Sequence, residues 1–179
     1  IGNTTTSAAV LTALSPTHAA LIAGYGSSRG NYKLVCRKEK LIADALREYG
    51  PMIKGPVDAL RYMGGFDLAA ICGAMLACVK AHIPFYVDGF ITAAALVCAV
   101  QLNDEVRRYA LLSHLSREAG MAVALRTVGM DESQIPIHGE LSLGEGTGAV
   151  LAVSLIQSMM YAVWHMGTLD NVNEAAERR

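Results

Sequence analysis

The stretch Leu143-Gly144-Glu145-Gly146-Thr147-Gly148-Ala149 sets three glycines around one carboxylate and runs straight into the apolar segment Val150 to Trp164. Glycine lets the backbone turn tightly and approach a ligand closely. A helix starting behind such a turn presents unpaired N–H groups and positive potential to whatever lies in front of it. The pattern therefore predicts a tight turn, a helix and an exposed rim between them. Anion pockets have this design, yet Glu145 carries the wrong charge for a phosphate. Its carboxylate either caps the helix or sits there to take a proton.

The same arrangement of turn and apolar run recurs along the chain. Ile1-Gly2-Asn3-Thr4-Thr5-Thr6 reads as a polar turn before the Ala-rich helix Ser7–Leu14. A loop at Gly24–Gly30 precedes a helix from Arg37 to about Tyr49, which Gly50-Pro51 stops. A short helical turn follows at Val57–Met63. Gly64-Gly65-Phe66-Asp67 leads into Leu68–Lys80, small and apolar on all sides and so expected to be buried all round. Phe85-Tyr86-Val87 reads as a buried strand ended by Asp88-Gly89, with Ile91–Leu102 as the next buried helix. Val106–Leu112 reads as a second strand, ending in the polar segment Ser113–Glu118. Ala119–Met130 reads as a helix and Gln134–Ile137 as a short extended piece.

This alternation predicts an α/β domain with a parallel sheet flanked by buried helices. Ligands of such folds bind beyond the carboxyl ends of the strands. The strand ends Asp88-Gly89 and Ser113-His114 would then share one rim with the helix starts Gly2-Asn3, Gly64-Gly65 and Gly144–Gly148. Neither a Walker A motif nor a GxGxxG fingerprint is present.

Composition narrows the function classes. At 179 residues, 53% of them apolar, the chain suffices for one domain with a sizeable core. A formal charge of −1 without like-charge runs, and 6% aromatic residues, speak against nucleic-acid and anionic-membrane partners. Phe90–Leu102 is too short to span a bilayer, and Ala149–Trp164 is broken by Ser154, Gln157 and Ser158, so both read as buried helices. The four cysteines contain no CxxC pair and read as small core residues of a reducing compartment. The five histidines show no metal-ligand spacing, so no structural metal is expected.

Taken together, Ile1–Thr6, Gly64–Ala70, Val87-Asp88-Gly89-Phe90-Ile91 and Leu143–Ala149 form an ordered set that resembles the nicotinate-nucleotide:dimethylbenzimidazole phosphoribosyltransferases. The resemblance implies a three-layer Rossmann-like domain that moves the phosphoribosyl group of nicotinate mononucleotide to 5,6-dimethylbenzimidazole. The products would be α-ribazole 5′-phosphate and nicotinate, in the activation of the lower ligand of cobalamin. It implies Glu145 as the general base, and Gly2, Asn3 and Lys38 at the nucleotide and its phosphate. Gly64, Gly65, Asp88, Gly89, Ser113, Gly144 and Gly146 are implied as further substrate contacts, with turn chemistry as the alternative reading for the rim positions. Also implied are a homodimer in the cytoplasm, small-molecule substrates and no cofactor. Residues 1–179 are expected to form a single α/β domain corresponding to the C-terminal part of a longer enzyme. The family has an acidic pair in the loop that here reads Gly24–Tyr32 and carries Arg29, and a histidine where Met121 follows Gly120. A non-catalytic paralogue or fragment that binds a nucleotide or α-ribazole is the second expectation.

Overall fold

The computed structural model describes residues 3–26, 30–141 and 144–170. The expected contact Gly2 lies outside the described residues.

Helix α1 (Asn3–Leu14) begins at Asn3, so the polar turn expected through Thr6 is instead the helix's first turn. The reason is local: Thr6 Oγ1 and Ser7 Oγ both donate to the Asn3 carbonyl, at 2.9 and 2.7 Å, which lets hydroxyl residues stay helical. Helix α2 (Tyr32–Tyr49) starts before the expected Arg37 and buries only Val35 and Ile42, a narrow stripe beneath a charged outer face. Helix α3 (Pro56–Met63) carries proline in its first turn, where a missing N–H does no harm. Helix α4 (Phe66–Lys80) buries Leu68, Cys72, Met75 and Val79, one stripe at helical spacing. The expectation of burial all round is thus corrected. Ala69, Ala70, Gly73 and Ala74 are exposed, because small residues tolerate packing without demanding it.

Strand β1 (Phe85–Val87) feeds helix α5 (Phe90–Leu102), the centre of the molecule. From Ala93 to Ala99 every α5 side chain is fully buried, as an all-apolar helix requires. Helices α1, α3, α4 and α6 (Gly120–Thr127) surround it. Gly120 marks the closest crossing: a Cβ there would stand 2.3 Å from Phe90 Cε2. Cys72 and Cys98 lie in this core, where burial raises both thiols, Cys98 to about 12, leaving them protonated and inert. Cys36, expected in the core, is exposed on the outer face of α2.

The second expected strand is shorter than Val106–Leu112. Asp104–Arg108 is a 3₁₀ turn, capped by Asn103 accepting from the Glu105 N–H, and β2 is Ala110–Leu112. After the single buried residue Ser113 the chain continues as β3 (His114–Ser116), within the segment read as the polar end of the second strand. Strand β4 (Ile137–Leu141) follows a 3₁₀ turn at Glu132–Gln134 and lies further along than the extended piece expected at Gln134–Ile137. The α/β class and parallel pairing are as expected. Among the described residues the strands form two parallel pairs, β1 with β2 in the register Phe85↔Ala110 and Val87↔Leu112, and β3 with β4 from His114↔Ile137.

Helix α7 (Thr147–His165) corrects another expectation. It buries only Gly148 and Ala152 and exposes Val150, Tyr161, Val163 and Trp164, the last at 73%. By length and composition it is apolar enough to cross a membrane.

Because α5 is enclosed on all sides, Leu96→Ala should cost about 2–5 kcal/mol of stability, read as a lowered denaturation midpoint at unchanged slope.

Candidate active site

Two clusters of expected site residues form. The first surrounds Glu145. Gly144 and Glu145 make the turn before α7, with Glu145 (φ 64°) and Gly146 (φ 80°) both left-handed. A glutamate in that region stores roughly 1–2 kcal/mol of strain, which the surroundings must hold. The Gly144 carbonyl accepts the Thr147 N–H and hydroxyl, at 3.3 and 2.8 Å, and so closes the turn. Glu145 does not cap the helix. Its side chain is exposed and has no hydrogen-bond partner among the described residues.

The cap comes instead from Asp88. Its Oδ2 accepts the Gly146 N–H at 3.2 Å and its Oδ1 the Ala149 N–H at 3.0 Å. A carboxylate at a helix N-terminus satisfies orphan donors and meets the positive end of the helix dipole. Beneath it lies His114, 1% exposed, with Nδ1 3.8 Å from Asp88 Oδ1. Ser113 Oγ is 2.8 Å from the Val87 carbonyl and 2.9 Å from that of Asp88, which share its proton. The same oxygen lies 3.1 Å from His114 Nδ1, within hydrogen-bond reach. Gly89 precedes α5, where Thr92 Oγ1 accepts its N–H at 3.0 Å, and it lies over the His114 ring.

The second cluster surrounds Lys38. Its Nζ donates to Thr4 Oγ1 and the Gly24 carbonyl, both at 3.2 Å, and to the Tyr25 carbonyl at 3.4 Å. The ammonium thereby ties α2 to the first turn of α1 and to the 24–26 loop. Gly26 donates its N–H to Glu118 Oε1 at 2.8 Å, while Glu118 Oε2 is buried without a hydrogen-bond partner among the described residues. Asn3 Nδ2 donates to Asp67 Oδ2 at 2.9 Å, joining the start of α1 to the Gly64-Gly65 turn that leads into α4. That bond, above all, holds the Asp67 carboxyl below the ordinary carboxylate range.

Strand β3 connects the clusters. His114 at its start lies under the Glu145 turn, and Ser116 at its end accepts the N–H of Glu118, which supports the Lys38 loop. Residues 114 to 118 span at most about 13 Å, a distance a nucleotide and a flat base can share. Three contributors lie in segments the sequence marked but were not read as site residues: Asp67, His114 as the buried support, and Glu118. Each works through a partner far along the chain, which periodicity does not record. Among the described residues no group of three or more His, Cys, Asp or Glu side chains stands close enough to hold a metal ion.

The α/β rim thus carries the exposed Glu145 carboxylate at a helix start and the loop bound by Lys38 at its other end. A phosphoribosyltransferase family model (DBI_PRT) matches residues 1–173. A nicotinate-nucleotide–dimethylbenzimidazole phosphoribosyltransferase of Clostridium tetani is 35% identical over 169 residues, covering 94% of this chain and 46% of the relative. One from Bradyrhizobium diazoefficiens is 38% identical, covering 97% and 48%. The crystal structure of CobT from Thermus thermophilus superposes with a TM-score of 0.82 at 34% identity, covering 97% of this chain and 50% of that one. The chain belongs to the nicotinate-nucleotide–dimethylbenzimidazole phosphoribosyltransferase family, and it spans about half the length of the relatives it matches.

If the Asn3 amide depresses Asp67, Asn3→Ala should move its folded-state pKa back up toward the ordinary value, as NMR titration of the carboxyl carbon would show. A depressed folded-state pKa stabilises above the unfolded value and loses that contribution as pH falls through the folded one. The variant should therefore lose less stability than wild type on acidification through the carboxylate range.

Proposed function

We propose that this chain carries the catalytic centre for transfer of the 5-phosphoribosyl group from nicotinate mononucleotide to 5,6-dimethylbenzimidazole. The unprotonated ring nitrogen of the benzimidazole attacks the anomeric carbon. The bond from that carbon to the pyridinium nitrogen breaks, and nicotinate leaves with the electron pair. Attack from the opposite face turns the β anomer into the α anomer of ribazole 5′-phosphate. The attacking ring becomes cationic, its N–H acidifies, and Glu145 takes the proton. The observation that carries this reading is the Glu145 carboxylate. It is exposed, unpartnered among the described residues and held on a strained left-handed residue at a capped helix start.

We assign Gly2, Asn3 and Lys38 to the phosphate end of the nucleotide. Gly64, Gly65, Gly89, Gly144 and Gly146 shape the rim, and Asp88 and Ser113 support it from beneath. Placement, one base and phosphate binding suffice for the chemistry. The names borne by the relatives and the order of the four motifs support the choice of substrates. The unpaired thiols of Cys36, Cys72, Cys78 and Cys98 favour the reducing cytoplasm. The exposed apolar face of α7 favours a homodimer, with Trp164 of the kind that anchors interfaces.

In the full-length protein, Glu145→Gln should retain nicotinate mononucleotide binding by calorimetry and lose about 10²- to 10⁴-fold in nicotinate release. Wild-type turnover in that variant would remove Glu145 from the chemistry. Binding without release in the wild type would instead make the chain a binding paralogue. Sedimentation equilibrium of the full-length protein should give a dimer that Trp164→Asp converts to a monomer; a wild-type monomer would sink the dimer assignment.

A further inference from the structure

We infer that Asp88 is a positioning residue for proton transfer: it holds the carboxylate of Glu145 in place without touching substrate. The inference rests on the reading of Glu145 as the base. Helix α7 has no capping side chain of its own, because the residue before it is the left-handed Gly146. The N–H of Gly146, just before the helix, and that of Ala149, in its first turn, both donate to Asp88, 58 and 61 residues earlier in the chain. Both bonds flank Glu145 closely: one goes to the next residue along, the other to the helix it opens into. Together with the Thr147 bonds to the Gly144 carbonyl, they tie down the left-handed Glu145, whose φ of 64° is costly for a residue with a side chain.

Asp88 is itself immobilised. Its side chain is 14% exposed, its main-chain carbonyl accepts from Ser113 Oγ, and it follows the fully buried Val87. From below, His114 sets how close α7 can lie. A Cβ on Gly148 would fall 1.8 Å from His114 Nδ1, so the helix rests directly on the imidazole and only glycine fits between them. Asp88 and His114 thus fix the height and the rotation of the α7 start. The direction of the Glu145 side chain follows from both. Proton transfer requires that direction to be right to within a fraction of an ångström, and a misplacement of about 1 Å costs on the order of 10²-fold.

The test is a double-mutant cycle in the full-length protein with nicotinate mononucleotide and dimethylbenzimidazole. Asp88→Ala should lower kcat by on the order of 10²-fold, with KM for the nucleotide changed by no more than about threefold. Calorimetry should still give the wild-type number of nucleotide sites per chain, which excludes a loss of folded protein. Asp88→Asn keeps one acceptor and the same shape. It should fall between the alanine variant and wild type, and it serves where the alanine variant does not accumulate. In a Glu145→Gln background the Asp88 substitution should cost nothing further, because it acts only through Glu145. Wild-type kcat in both Asp88 variants overturns the inference. So does a loss carried mainly in KM, which would make Asp88 a substrate contact, and so does full additivity with Glu145→Gln. Wild-type turnover in Glu145→Gln alone fails the underlying reading instead and is separable from these outcomes.

Discussion

The burial of helix α5 is the constraint on which the other elements depend. Its residues from Ala93 to Ala99 are apolar and present no face to water, so the helix is stable only when enclosed. Helices α1, α3, α4 and α6 enclose it, and strand β1 is carried to its start. This fixes where β1 ends. The Asp88-Gly89 turn stands at the N-terminal end of α5, because it alone separates β1 from the buried helix. The candidate site inherits its position from that packing.

Around this anchor the polar groups form a second level of organisation. Asp88 reaches α7, Ser113 binds back to Val87 and Asp88, and His114 supports the α7 start. At the other end of β3, Glu118 supports the loop that Lys38 ties to α1. Both candidate functional side chains therefore rest on one short strand and its flanks. The strand sets the separation between the two clusters. The outer face of α7 is left exposed and largely apolar.

Much of the fold was legible because helix and strand periodicities are local. The helices at α2, α3, α4, α5 and α7 and the strand at β1 follow from apolar spacing and from the Gly and Pro stops. The misreadings share a physical origin. Val106 is apolar and fully buried, yet it sits in a 3₁₀ turn, because Asn103 captures the Glu105 N–H and Arg107 donates to the Val128 carbonyl. The helices α4 and α7 are apolar on more sides than they bury, since composition reports what a face tolerates and not what covers it. At the site, the turn around Glu145 was legible through its glycines and the misfit of a carboxylate in an anion cradle. That Asp88 rather than Glu145 caps α7 was not.

The amino-acid sequence by itself determined the α/β class, the buried central helix, the glycine turns and the family to which the chain belongs, because each is written in short-range pattern and motif order. Only the tertiary structure decided which carboxylate is free and which is engaged. Asp88 and Glu145 are equivalent acids on paper. Packing places one of them 3.0 Å from the Ala149 N–H and 3.2 Å from the Gly146 N–H, while the other is left exposed at the rim. The bonds that make this distinction join residues 58 and 61 positions apart, and such pairings exist only once the core around α5 has closed.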